Sequence, residues 1–311
     1  MEEEEKLGRE RFYLRECLKK FFRCDIMRVA LQEVDMKKFL TDMHTHSFPA
    51  SHDAANTLPQ MLAKAQSLGV DFYGLSEHFD YDYDVSLLSE ADYKRTRNGD
   101  EEEYFHTARH LQEDYEGVMN VAVGAEFGFS EDEKVQGMYA ATYEKYRPDF
   151  VINSVHSLHG RDLCRHEYTK DKIEVYRTYL RLIRASLDVP YPYDIVGHIG
   201  YIARYVPYEN RDINLSEFGV EIDDILKTII AKDKILEVNS SVKNLPWLSL
   251  PDTPILKRYY ELGGRKISFG SDSHFVERIL DGREKIMTAL KEIGFTYLTV
   301  PFKGEHIKVE I

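Results

Sequence analysis

From about residue 38 onward, short apolar runs alternate with longer stretches whose apolar positions recur every three or four residues. The first kind reads as buried strand and the second as amphipathic helix. The strand-like runs are FLTDMH, VDFYGLS, NVAVGAEF, PDFVINSVH, YDIVGH, KILEVNSS and KISFGSD, and a short run, FTYLTVP, closes the chain. Helices are predicted over about 57–68, 101–116, 131–146, 171–187, 217–231, 252–262 and 276–293. Thr57 opens the first, Gly69 closes it, and Gly263-Gly264 ends the sixth. Repeated βα order implies a parallel sheet, and seven such units favour a closed or nearly closed α/β barrel over an open sheet.

Residues 1–35 break the pattern. The segment RFYLRECLKKFFRCDIMRVALQEV is helical by spacing, mixes basic and apolar residues, and carries no candidate ligand. We expect a helical N-terminal extension over 1–35, packed on the outside of a barrel that occupies 36–311. A dimerising or membrane-surface helix is the alternative, and Met36 as the native start is another. A second irregularity is the acidic, Asp- and Tyr-rich insert over about 80–100, between the second strand and its helix.

Composition narrows the class. A chain of 311 residues suits one large α/β barrel, and a 43% hydrophobic content argues against wholesale disorder. No apolar run approaches a membrane span. The opening MEEEE lacks the basic and apolar segments of a secretory leader. Cys17, Cys24 and Cys164 form no framework and read as inert, so a reducing cytoplasm is expected. The net charge of −13 disfavours nucleic acid as a partner. No GxGxxG or P-loop appears, so dinucleotide and P-loop chemistry lack support.

The chemistry sits at the strand ends. His44 and His46 are two apart in FLTDMHTH and share a strand face. His78 ends GLSEH, Glu126 lies in VGAEF, His156 ends INSVH, His198 ends IVGH, and Asp272 and His274 end FGSDSH. Ligand types delivered by six strands at their C-terminal ends describe a metal site at the mouth of a barrel. His52, in the loop FPASH, has no strand to place it. Imidazole and carboxylate suit zinc, manganese or iron. Nine candidates exceed one tetrahedral ion and would satisfy two or three, with Glu126 or Asp272 bridging. Clustered ions lower the pKa of a bound water and hold a phosphoryl group, so a phosphate ester is the natural small-molecule substrate. No GxSxG and no strand-end cysteine offers a nucleophile. Arg161 and Arg204 follow His156 and His198 on the loops where phosphate anchors collect. Asn239 and Ser240 end the one strand without a metal ligand, and either line the pocket or cap the next turn.

These motifs, over roughly residues 38–300, resemble the PHP family, named for polymerase and histidinol phosphatase, and within it the histidinol-phosphatase branch. The resemblance implies a distorted (β/α)7 TIM-like barrel with a multinuclear metal site. It adds His52 to the ligands. It groups His44, His46, Glu126 and Asp272 on one ion, His52 and His78 on another near His274 or solvent, and Glu126, His156 and His198 on the rest. It also implies hydrolysis of L-histidinol phosphate and favours basic residues in the loops of Arg161 and Arg204; we expect Asp272, His274 and Glu126 as catalytic residues and Arg161, Arg204 and Asn239 around the substrate. The chain departs from the branch at SEHFDYDYD and SVHSLHGRD, so Asp80, Asp82 or Asp84 could instead favour another cationic phosphate ester. Other readings are a PHP phosphoesterase acting on a nucleotide, an amidohydrolase barrel, and a non-catalytic metal-binding module. An amidohydrolase leaves Glu126 and His274 unexplained. A homo-oligomer is open.

Overall fold

In the computed structural model, residues 39–84, 86, 90 and 99–311 are described, and the expected extension over 1–35 lies outside them. Seven parallel strands carry the fold: β1 (Thr41–Asp42), β2 (Phe72–Phe79), β3 (Asn120–Gly128), β4 (Val151–Ser154), β7 (Ile195–Val196), β8 (Ile235–Asn239) and β9 (Ile267–Gly270), hydrogen-bonded in that order. Their residues are buried on both faces except at one end each of β2 and β3, as in a parallel sheet covered by helices. β1 and β9 share no regular ladder, yet the Met43 amide donates to Phe269 O (2.9 Å), the Asp272 amide to His44 O (2.8 Å) and the His46 amide to Ser273 O (2.9 Å). The sheet is thereby nearly closed into a barrel, and the seam lies among the candidate ligands.

The helices are α1 (Leu58–Ser67), α2 (Glu101–Asp114), α3 (Glu133–Tyr146), α4 (Lys172–Ser186), α5 (Leu215–Ala231), α6 (Thr253–Glu261) and α7 (Arg283–Ile293). Their starts have local causes. Asp100, Asp132, Asp171 and Asn214 accept amide hydrogen bonds from the first turns of α2 to α5. Each helix buries one apolar stripe; in α4 the buried residues include Val175, Tyr176, Tyr179, Leu180 and Ile183. No helix among the described residues is long and apolar enough to cross a membrane.

Two expectations are corrected. The helix expected over 276–293 is a short 3-10 turn (Val276–Arg278), a break, and then α7. Leu280 and Gly282 adopt left-handed φ of 62° and 70°, which ends any helix, and the Leu280 amide donates to the buried Asp42 carboxylate (3.0 Å). The closing strand also belongs to a hairpin and not to the barrel. β10 (Tyr297–Phe302) pairs antiparallel with β11 (Glu305–Glu310) across Lys303-Gly304, both at positive φ, the turn a two-residue hairpin needs. A second small hairpin, β5 (Ser157–Leu158) with β6 (Arg161–Asp162), follows His156 and stands at the mouth of the site.

Candidate metal centre

Glu126, on β3, is the centre of the site. It is fully buried, and five imidazoles converge on it. His44 Nε2 lies 3.3 Å and His46 Nε2 3.6 Å from its Oε2, and His78 Nδ1 lies 2.9 Å from the same oxygen. His156 Nε2 (3.1 Å) and His198 Nε2 (2.9 Å) face its Oε1, which also accepts from the Ser154 hydroxyl (2.6 Å). Asp272 Oδ1 stands 3.4 Å from His46 Nε2 and 4.0 Å from His44 Nε2. His274 Nε2 is 3.3 Å from His78 Nε2, while His156 Nε2 and His198 Nε2 are also 3.3 Å apart.

Three overlapping sets each bring their donor atoms within 4.8 Å of one another: His44, His46 and Asp272; His46, His78 and His274; and His78, Glu126 and His156. His44 Nε2, His46 Nε2, His78 Nδ1 and Glu126 Oε2 are buried and make no well-aligned hydrogen bond, although the three nitrogens stand 2.9 to 3.6 Å from that oxygen. Unpaired buried polar atoms are costly, and facing nitrogen lone pairs repel unless something positive lies between them. The donor set therefore fits divalent cations of the nitrogen- and oxygen-loving kind.

The electrostatics agree. Burial alone would raise the Glu126 carboxyl, but the charges of His44 and His156 and hydrogen bonds from His156 and His198 hold it well below the ordinary range. For Asp272, burial is likewise outweighed, by the His46 hydrogen bond and the charges of His44 and Arg204. Burial and the neighbouring His78 and His274 push His46 well down, so its ring stays neutral with a lone pair to offer. Asp272 also sits at a left-handed φ of 52°, a conformation uncommon for residues other than glycine, though aspartate tolerates it better than most.

A cavity of about 420 Å3 opens above this cluster, bordered by His78, His156, His198, Asp272 and His274 on its floor. Arg204, from a 3-10 turn over Tyr201–Arg204, enters its wall with a side chain only 2% exposed. Its guanidinium donates to Asp272 Oδ2 (3.2 Å) and stacks 4.5 Å from the centre of the Tyr201 ring. Arg165, Lys243 and Arg278 add positive charge to the same cavity. Cys164 lines it too, but burial and Asp162 push its thiol up to about 12, so it stays protonated.

Eight of the nine sequence-derived candidates thus stand together. His52 is outside all three donor sets, its ring 6.5 Å from that of Phe48, in a smaller cavity shared with Asp53 and His78. The residue after it, Asp53, instead reaches His274 Nε2 (3.2 Å) and His78 Nε2 (4.0 Å). Arg161 does not border this cavity; it lies 3.9 Å from exposed Glu167, and Arg165 lines the wall in its place. Asn239 is fully buried, its Oδ1 accepting from the Ser241 amide (2.8 Å) and facing Arg204 at 3.5 Å, so it lies behind the arginine and not in the cavity. Ser240 is buried, while Ser241 lines the cavity. Of the acidic insert, Asp80 holds His156 Nδ1 (2.7 Å), Asp82 is buried with Oδ1 3.4 Å from the Tyr139 hydroxyl, and exposed Asp84 bonds Ser86. Burial and Asp80 push the Asp82 carboxyl up to about 7.

Two buried carboxylates escaped the reading of the sequence. Glu237 accepts from His44 Nδ1 (2.5 Å), and Glu77 holds the loop after β1 through the Ser47 amide (2.9 Å) and the Ser51 hydroxyl (2.7 Å). The available signal was a glutamate inside a buried strand, between Leu236 and Val238 in ILEVN and between Ser76 and His78 in FYGLSEHF.

The PHP domain family model matches residues 42–241. A probable histidinol-phosphatase of Clostridium acetobutylicum is 36% identical over 161 residues, which are 51% of this chain and 62% of that relative. The histidinol-phosphatase of Lactococcus lactis subsp. lactis is 29% identical over 283 residues, 88% of this chain and 97% of the relative. Among solved structures, the histidinol phosphate phosphatase of Lactococcus lactis, complexed with zinc, L-histidinol and phosphate, superposes with a TM-score of 0.75 at 25% identity, covering 86% of this chain and 99% of that one.

Proposed function

The chain belongs to the PHP domain family, and we propose that it is a metal-dependent phosphomonoesterase that hydrolyses L-histidinol phosphate to L-histidinol and phosphate. The observation that carries the chemistry is the set of donor atoms on His44, His46, His78 and Glu126 that converge without well-aligned hydrogen bonds, buried beneath a cavity walled by Arg204. The substrate is supported by the relatives that bear the name histidinol-phosphatase and by the neighbour complexed with zinc, L-histidinol and phosphate.

Two or three divalent ions, zinc first among zinc, manganese and iron, would be held by His44, His46, His78, Glu126, His156, His198, Asp272 and His274, with Asp53 adding a carboxylate at the outer edge. Bound there, they would supply Lewis acidity, lowering the pKa of water and neutralising charge on phosphoryl oxygens. Arg204 orients the phosphate: Asp272 fixes its guanidinium, Tyr201 fixes its plane, and its buried Nε has no hydrogen-bond partner in the protein. Arg165, Lys243 and Arg278 draw the anion into a chain that is otherwise strongly acidic. Water adds to phosphorus as the bond to the alcohol oxygen breaks, and the proton it releases passes to the departing alkoxide at the Asp272–His274 end, which opens on the cavity; His274 carries it, since Asp272 stays ionised.

Phosphate release by the zinc-reconstituted protein tests the reading, comparing kcat/KM for L-histidinol phosphate with simple phosphate mono- and diesters. A preference of about 100-fold or more, roughly 2.7 kcal/mol of transition-state discrimination, is expected. Slow and unselective hydrolysis would move the substrate elsewhere, and no turnover with metal bound would leave a metal-binding module.

A further inference from the structure

Glu237 neither borders the cavity nor belongs to any of the three donor sets, yet it is 1% exposed and lies between two ligand-bearing strands. Its Oε1 lies 2.5 Å from His44 Nδ1, and its Oε2 accepts the backbone amide of His198 at 2.6 Å. One carboxylate thus joins the imidazole after β1 to the main chain after β7. Asn239 Nδ2 donates to the same Oε1 at 3.3 Å. The room for this comes from Gly270 at the end of β9, where a methyl group would collide with Glu237 Oε1 and with His44 Cβ. A buried carboxylate accepting from Nδ1 forces the proton onto that nitrogen and leaves Nε2 as a bare donor. In this molecule Nε2 is the atom aimed at Glu126 and Asp272.

The same arrangement recurs across the site. Asp80 Oδ1 lies 2.7 Å from His156 Nδ1, and His156 Nε2 points to the other oxygen of Glu126. By contrast, the Nδ1 of His198 is buried without a partner, and that of His46 meets only the Ser51 hydroxyl at 3.4 Å. Anionic backing is therefore given to two particular rings and withheld from others.

We propose that Glu237 is a positioning residue of the metal centre: it fixes the Nε2-donor tautomer of His44 and, through the His198 amide, sets the spacing of two ligands from different strands. The inference rests on the metal-centre part of the reading above and is independent of the substrate. Both oxygens of Glu237 accept, so an amide can satisfy only one partner and must turn a donor toward the other. Glu237→Gln should therefore weaken zinc binding by about 10- to 100-fold, the usual scale for a partner behind a ligand. The affinity is read by competition with a chromophoric chelator, and melting of the metal-free protein reports any general loss of structure. Zinc affinity equal to that of the parent chain would overturn the proposal, as would a loss matched by collapse of the metal-free fold.

The parent chain supplies a second test that needs no variant. In the zinc-loaded, 15N-histidine-labelled protein, ring correlations should place the proton of His44 on Nδ1. A proton on Nε2 would overturn the proposal. Normal zinc binding without turnover of L-histidinol phosphate would remove the substrate assignment alone, so the two ideas fail separately.

Discussion

The inner and outer halves of the metal centre are built differently. The inner half, His44, His156 and His198 around Glu126, has side chains no more than 4% exposed. Its rings stand at strand ends, and two of them are backed by Glu237 and Asp80. The outer half, His78, His274 and Asp53, is 22%, 18% and 41% exposed, and Asp53 rides on a loop. That loop is held by the buried carboxylate of Glu77, which takes hydrogen bonds from Ser47 and Ser51, and by backbone bonds such as that from the Ala55 amide to His274 O. Sheet geometry aims the inner donors before any ion arrives, whereas the outer carboxylate depends on hydrogen bonds made elsewhere along its loop. Preorganisation of this kind lowers the cost of binding.

The largest effect should come from the shared centre. Glu126→Gln removes the anion that five imidazoles face and should lower kcat/KM by more than about 100-fold, beyond what changes behind the ligands cause. Turnover with parallel metal analysis checks this; a variant with normal zinc content and near-normal activity would dissolve the idea of an inner core. Asp53→Asn should act more weakly, costing about 10-fold in the affinity of one metal equivalent and leaving the others unchanged. A stepwise zinc titration reads the difference. If this variant lost as much as Glu126→Gln, the two halves would be a single unit.

The smallest effect sharpens the role of the imidazoles by examining a buried carboxyl that lacks them. Asp252, at the start of α6, has a buried Oδ1 without a partner, and burial with the charge of Asp212 raises it to about 6, the reverse of Glu126 and Asp272. Its folded form holds a proton more tightly than the unfolded chain, where an aspartate's ordinary value is 3.8. Its contribution is therefore full below about pH 4, is lost as pH rises through about 6, and leaves a penalty above that. Asn caps a helix as well as Asp does, so Asp252→Asn should gain about 1 kcal/mol at pH 7, after discounting for partial exposure, and flatten the stability profile between about pH 4 and 6. Urea unfolding at several pH values measures it; an unchanged slope would show that the carboxyl is not strained.

Strands that end in ligand residues were legible because a parallel barrel needs continuous apolar runs, and because a polar residue closing such a run has few structural reasons to be there. The order of the seven strands follows from the same repetition. The hairpin of β10 and β11 was missed because its second strand, EHIKVE, is mostly exposed and carries little apolar signal. The break before α7 was missed because it depends on Asp42, far away in sequence, which accepts the Leu280 amide.

The sequence by itself determined which residue types would meet at the barrel mouth, since strand periodicity and chain order settle which side chains end each strand. Only the tertiary structure decided how they are aimed. Asp53 rather than its neighbour His52 approaches His274, Arg165 rather than Arg161 lines the cavity, and Glu237 stands behind His44 across 193 residues of chain. A loop's exit direction, and a hydrogen bond between two strands, depend on packing among segments distant in sequence, and no local pattern of residues encodes that.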